Sequence, residues 1–317
     1  MSTAARRPTR RPGAARQMRD AEATAVLDEA ARSKAERAAA RAKAEPSGGG
    51  AHALAGAVRY EWVRLWTLRS TWWLLGAAVA LNGLVACAVG RAVDSGGQEL
   101  DPEGVVGLLT GGSGMSTLSL TALFVGFVGV LALGHEYRHD LARTTLTALP
   151  RRGSVLAAKA VVVAAVAAVT AVLAVLAAYA VGLLVVGDAW RFSLLRVGDT
   201  PRALAGFVAL VVLTALLGLA LGGLLRHVPA ALLVLVLLPL AVEPITDAFL
   251  ESNDAGGAAA AGRFMPFTAA HQMLTVSGST EEHAFVPLTA LGGGLVFLGY
   301  VIALVGLTSV LLRARDA

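Results

Sequence analysis

Residues 155–186 read VLAAKAVVVAAVAAVTAVLAVLAAYAVGLLVV, and Lys159 is the only charge among them. A bilayer hydrocarbon core about 30 Å thick is crossed by about 20 apolar residues in a helix rising ~1.5 Å each. This run is longer than that, so it predicts a span that tilts or extends past the bilayer. Five further apolar runs place spans at 72–91, 115–134, 203–225, 230–250 and 287–312. The composition agrees. The 317 residues are 56% hydrophobic and only 15% charged, with a mean hydropathy of +0.66, a balance foreign to soluble domains. The expected fold class is an all-α membrane protein with six transmembrane helices, and no fixed-period or inverted repeat stands out.

Upstream of that run lies a polar island, Gly134 to Lys159, reading GHEYRHDLARTTLTALPRRGSVLAAK. It carries Arg138, Arg143, Arg151, Arg152 and Lys159 between two apolar runs. Working further back, Leu54, Val58, Trp62, Leu65 and Trp66 recur at the spacing of one helix face, with Arg59, Glu61, Arg64 and Arg69 elsewhere. That pattern predicts an amphipathic interfacial helix over 51–71. Trp72 and Trp73 then mark entry to the first span, because indole rings favour the headgroup level. Residues 1–50 hold 11 basic and 6 acidic residues, which accounts for the whole net charge of +5. They form a basic cytosolic tail, helical or disordered. The pI near 9.9 therefore describes a tail and gives no nucleic-acid-binding domain. Arg10-Arg11 is followed by no apolar stretch within reach, so no export signal is expected. The single cysteine, Cys87, excludes an intrachain disulfide and a cysteine-based zinc site.

Orientation follows the Lys/Arg bias of the loops. The tail, the 135–154 island, the Arg226-His227 turn and Arg313/Arg315 are placed inside. The loops 92–114, 187–202 and 251–286 are placed outside, against the vote of Arg191, Arg196 and Arg202. Both termini are then cytoplasmic. In the last outer loop, Phe264, Met265, Phe267 and Met273 are expected to form a short amphipathic helix resting on the outer leaflet, as an external gate or a passive loop.

The island admits two chemical readings. His135-Glu136-Tyr137-Arg138-His139 is a literal H-E-x-x-H, which on a helix puts both histidines on one face with Glu136 as general base. That resembles the intramembrane zinc metalloproteases. Their second motif, an Asn-Pro with Asp-Gly in a later span, is absent, and Glu243-Pro244 with Asp247 is the nearest substitute. The other reading is a docking surface, since guanidinium groups pair bidentately with a partner's carboxylates. The plain alternative is that Arg138, Arg151 and Arg152 only anchor helix ends.

The segments Glu136-Tyr137-Arg138, Arg143-Thr144-Thr145-Leu146, Pro150-Arg151-Arg152 and Ala158-Lys159 together resemble the cytosolic motif of type-2 ABC exporter permeases from GC-rich bacteria. Glu61-Trp62-Val63-Arg64-Leu65, Leu68-Arg69-Ser70-Thr71-Trp72-Trp73 and Glu243-Pro244 fit the same family. The resemblance covers about 58–312. It departs at Asp140-Leu141, where members commonly have Gly-Thr. It implies a six-span permease domain over 72–317 in a bacterial plasma membrane, paired with itself or a sister permease. It also implies a separate ABC ATPase carrying ATP and Mg. Glu136, Tyr137, Arg138, Arg143, Thr144, Pro150, Arg151 and Arg152 would couple to that ATPase, and Glu243 and Pro244 would serve translocation or gating. The chain itself would not be catalytic and would hold no metal. None of its three lysines, Lys34, Lys43 and Lys159, sits in a Walker A loop. A non-transporting membrane anchor or sensor is the third possibility.

Within the spans, Glu243 and Asp247 lie one turn apart, and Pro244 is expected to kink the helix. Asp247 is read as hydrated and passive at the outer interface. Gly218-x-x-x-Gly222 permits close helix contact, expected within the subunit, and Gly292-Gly293-Gly294 is read likewise.

Overall fold

The computed structural model describes residues 50–96, 102–113, 119–138, 152–185, 199–252, 259–276 and 287–314, with Ser33 and Glu36. Residues 54–317 form one compact unit. In chain order its helices are α1 (Gly50–Thr67), α2 (Arg69–Gly96), α3 (Pro102–Leu109), α4 (Leu120–Arg138), α5 (Arg152–Val185), α6 (Thr200–Leu225) and α7 (Val228–Leu237). A π-helical turn, Leu238–Val242, leads into α8 (Glu243–Ser252), followed by α9 (Ala259–Gly262), α10 (Pro266–His271) and α11 (Ala290–Ala314). There is no strand among the described residues.

Five helical stretches are long and apolar enough to cross a membrane: Arg69–Ala92, Val155–Val185, Thr200–Leu225, Val228–Leu250 and Ala290–Leu311. This is a multi-pass membrane architecture. The expected span at 115–134 is shorter than the sequence suggested. Its apolar helix covers Leu120–Gly134, about 22 Å at ~1.5 Å per residue. That helix is nevertheless the centre of the bundle. Ala122, Leu123, Val125, Val128, Val130, Ala132 and Leu133 are all buried, as expected of a helix apolar on every side.

The seam between α4 and α6 is built from glycine. A Cβ on Gly129 would overlap the Ala215 carbonyl, one on Gly218 would overlap the Gly126 carbonyl, and one on Gly222 would come within 2.7 Å of the Val130 oxygen. The GxxxG therefore packs inside the subunit, where missing side chains let two backbones touch. Contacts climb both helices together, from Gly126 beside Thr214 to Leu133 beside Gly223, so α4 and α6 run parallel. Gly293 likewise meets the Ala269 carbonyl of its own chain.

Two segments expected as outer loops are folded into the bundle. In α3, within 92–114, Val105, Val106 and Leu108 are fully buried. In α10 and the turn after it, Phe267 through Leu274 are buried. The expected surface-lying helix is thus an inserted one, with the Phe267 ring tilted against that of Phe297 of α11 at 5.5 Å. Val106, Ala203 and Val276 join the two insertions at the start of α6. The physical reason is backbone chemistry: non-spanning backbone at membrane depth must be covered by protein. Asn82, in the middle of α2, ties this end together. Its Nδ2 donates to the Leu109 and Ala174 carbonyls at 3.1 and 2.8 Å, and its Oδ1 accepts from Thr121 Oγ1 at 3.3 Å. The turn after α3 passes so close that only glycine fits at Gly111, which also has φ +64°.

Candidate functional site

The first cluster sits where α1 meets α5. Lys159 Nζ donates to Glu61 Oε1 at 2.6 Å, and Arg64 Nη1 lies 3.4 Å from Glu61 Oε2. Lys159 is 1% exposed and Glu61 5%, so the pair is shielded from water and joins residues 98 positions apart. It also corrects the expected face of α1. The inward stripe is Ala57, Glu61 and Leu65 at a spacing of four, with Val58 half-buried against the core. Trp62 and Trp66 turn outward, 41% and 45% exposed. Glu61 reaching Lys159 fixes that rotation of the helix. The outward indoles pack in a row, Trp62 tilted against Trp66 at 5.4 Å and Trp66 edge-on to Trp72 at 4.4 Å, and Trp72 Nε1 donates to the Trp66 carbonyl at 3.1 Å.

The island joins this cluster through α5. Glu136, Tyr137 and Arg138 lie in the last turn of α4, and Arg152 opens α5, two turns before Lys159. The side chains of these four lie outside the described residues, as do Arg143, Thr144, Pro150, Arg151 and His139 altogether. No group of three or more His, Cys, Asp and Glu suited to a metal occurs among the described residues.

The second cluster surrounds Glu243, which is 3% exposed. Its carboxylate accepts from Phe267 N at 2.8 Å, Thr268 N at 2.7 Å and Thr268 Oγ1 at 2.9 Å. These are the first-turn donors of α10, which Met265 and Pro266 begin. Glu243 therefore caps a helix from another element, and its negative charge suits the N-terminal end of that helix. Pro244 is exposed, and Asp247 is half-buried one turn on. The expected proline kink takes the form of a π turn. The Glu243 N–H donates to the Leu238 carbonyl, five residues back. Such single turns relieve a helix that prolines, here Pro239 and Pro244, deprive of donors.

Replacing Glu243 with alanine is expected to strand two backbone N–H groups, each costing about 1–3 kcal/mol when buried. Hydrogen exchange at Phe267 and Thr268 should speed up at least about tenfold. Glu243→Gln, which keeps one acceptor oxygen, should lie between. Unchanged exchange in the alanine variant would show that the carboxylate does not hold α10.

The two clusters occupy opposite ends of the bundle. Gly206 of α6 lies against Met273, beyond α10, while Gly223 lies against Leu133, next to the island. Those glycines are 17 residues apart, about 25 Å along the helix. Glu243 and Asp247 are thus too far from His135 to complete a zinc site with it. The ion pair and the Asn82 brace escaped sequence reasoning because nothing in the chain marks which distant polar residues meet. The lone charge Lys159 in an apolar run was the one available signal, since a buried cation needs a counter-charge. A scan against protein-family models gives no match, and no curated protein matches the chain.

Proposed function

We propose that this chain is the permease subunit of an ATP-driven exporter of the type-2 ABC class, moving an apolar or amphipathic solute outward. The observation that carries the reading is the buried Lys159–Glu61 pair. It brings together two pieces of sequence, the entry helix and the Ala-Lys before the third span, that both belong to the resemblance. In this reading the chain crosses a bacterial plasma membrane six times, with α1 in the cytosolic interface and both termini cytoplasmic. Helix α4 is the sixth crossing. All 19 of its residues reach about 28 Å. Alternating crossings require α4, α6 and α11 to run in one sense. The contacts of α4 with α6 fit that requirement, and so do those of α11, whose Gly294 meets Met273 beside Gly206 while its Thr308 donates to the Ala220 carbonyl near the other end of α6.

A separate ATPase, holding ATP and Mg, docks on the 135–154 island through Glu136, Tyr137, Arg138, Arg143, Thr144, Pro150, Arg151 and Arg152. Its closure moves the start of α5, and the Lys159–Glu61 pair carries that movement to α1. At the far end, the π turn beside Glu243 and Pro244 is the point where the fifth span bends, with α10 moving as the capped element. The chain pairs with a second copy or a sister permease.

Changing Arg151 and Arg152 together to glutamate should abolish co-purification of the ATPase from native membranes while the permease still folds, as judged by monodisperse elution. ATPase retained in full by that variant would remove the docking claim.

A further inference from the structure

Between α6 and α11 lies a groove of about 500 Å³ that is almost wholly apolar, and among the described residues Arg202 is the one charged side chain lining it. We infer that this groove holds one acyl chain of an anionic phospholipid from the surrounding bilayer, with the headgroup at Arg202. The inference needs only the membrane architecture and does not depend on the exporter reading.

The dimensions select the ligand. Along α6 the lining runs Arg202, Ala205, Ala209, Leu213, a stripe at helical spacing. The eleven helical steps from Arg202 to Leu213 span about 16 Å, which is close to the ~15 Å depth of one leaflet's hydrocarbon. Leu291 and Leu295 of α11 form the opposite wall and are 81% and 68% exposed. The groove is therefore open to the side, along the face that two spanning helices turn to the lipid. Its volume lies within the range of small-ligand sites.

Arg202 selects the charge. It is the third residue of α6, so it stands at the end of a span, at headgroup depth. One of its terminal nitrogens donates to the Thr275 carbonyl and lies 3.5 Å from Asp199 Oδ2. A guanidinium has five N–H donors, so these contacts do not exhaust it. The Asp199 pair is half-exposed on both sides and holds the arginine only weakly. The Thr275 contact anchors the guanidinium above the apolar stripe, in the place where a phosphate oxygen arrives when its chain lies in the groove.

The test is native mass spectrometry of the full chain released from vesicles of phosphatidylglycerol and phosphatidylcholine in equal amounts. One phosphatidylglycerol should be retained per chain in preference to phosphatidylcholine. Arg202→Gln should lower that preference about tenfold, as loss of a charge-assisted pair implies, and Arg202→Lys should keep most of it. Ala209→Phe, which fills the groove and leaves Arg202 in place, should also release the lipid. Equal retention of the two lipids would overturn the inference. So would a preference that survives Arg202→Gln, or one that survives Ala209→Phe. Protein pairs retaining no lipid would assign the groove to a second copy of the chain and overturn it too.

Discussion

Replacing Lys159 with methionine will destabilise the purified protein by about 3–5 kcal/mol, the usual cost of leaving one charge of a buried pair without its partner. The chain has few ways to relieve it. Glu61 is 5% exposed and faces inward between Ala57 and Leu65, and Arg64, at 3.4 Å and on the same helix, compensates only in part. Turning Glu61 outward would rotate α1 and disturb the packed row of Trp62, Trp66 and Trp72. Lys159→Arg is not expected to rescue, because the site is filled and a guanidinium is larger and planar. Glu61→Leu combined with Lys159→Met removes both charges and should recover most of the loss, since buried pairs are often replaceable by apolar groups. Thermal unfolding in one detergent, read for all four proteins, checks the series. A single Lys159→Met variant as stable as the parent would mean that the pair does not fasten α1 to α5.

The second large effect is expected at the α4–α6 seam. Gly218→Val places a branched Cβ where the Gly126 carbonyl already stands. The obstacle is backbone, which no side-chain rotation can move, so the helices must part along the centre of the bundle. The cost should exceed the about 1–3 kcal/mol of ordinary overpacking, and the variant should fail to elute as a monodisperse species. Gly299 serves as the control, since nothing lies within 4 Å of a Cβ there. Gly299→Ala should be neutral or stabilise by up to about 1 kcal/mol, as glycine loses more backbone entropy than alanine on entering a helix. Equal effects at the two positions would show that close backbone contact is not what makes Gly218 necessary.

Much of the fold was legible because a bilayer imposes length. Runs such as 155–186 and 203–225 need no tertiary information to be read as spans, and the helices follow them within a few residues. Where length fails as a guide, the sequence misled. Residues 102–109 and 266–271 are too short to span, so they read as loops, yet 105–109 and 267–271 are buried. The α1 face was misread for a different reason. The tryptophans make the most hydrophobic face, but the face that packs inward is decided by a counter-charge 98 residues away. Glu243 was legible either as a costly buried carboxylate or as a hydrated one at the outer interface, and it is buried. Its bonds to Phe267 and Thr268 were not legible, because the capped helix belongs to another element. The docking island remains the part of the site that rests on residue pattern alone.

We propose that this chain works with an external motor docked on 135–154. The most direct measurement is the subunit and metal content of the chain isolated intact from its native membrane. The account predicts one ATP-hydrolysing subunit with a Walker A loop for each permease chain, and no zinc dependent on His135 and His139. A chain isolated without such a subunit, carrying stoichiometric zinc that disappears in His135→Ala and His139→Ala, would contradict it.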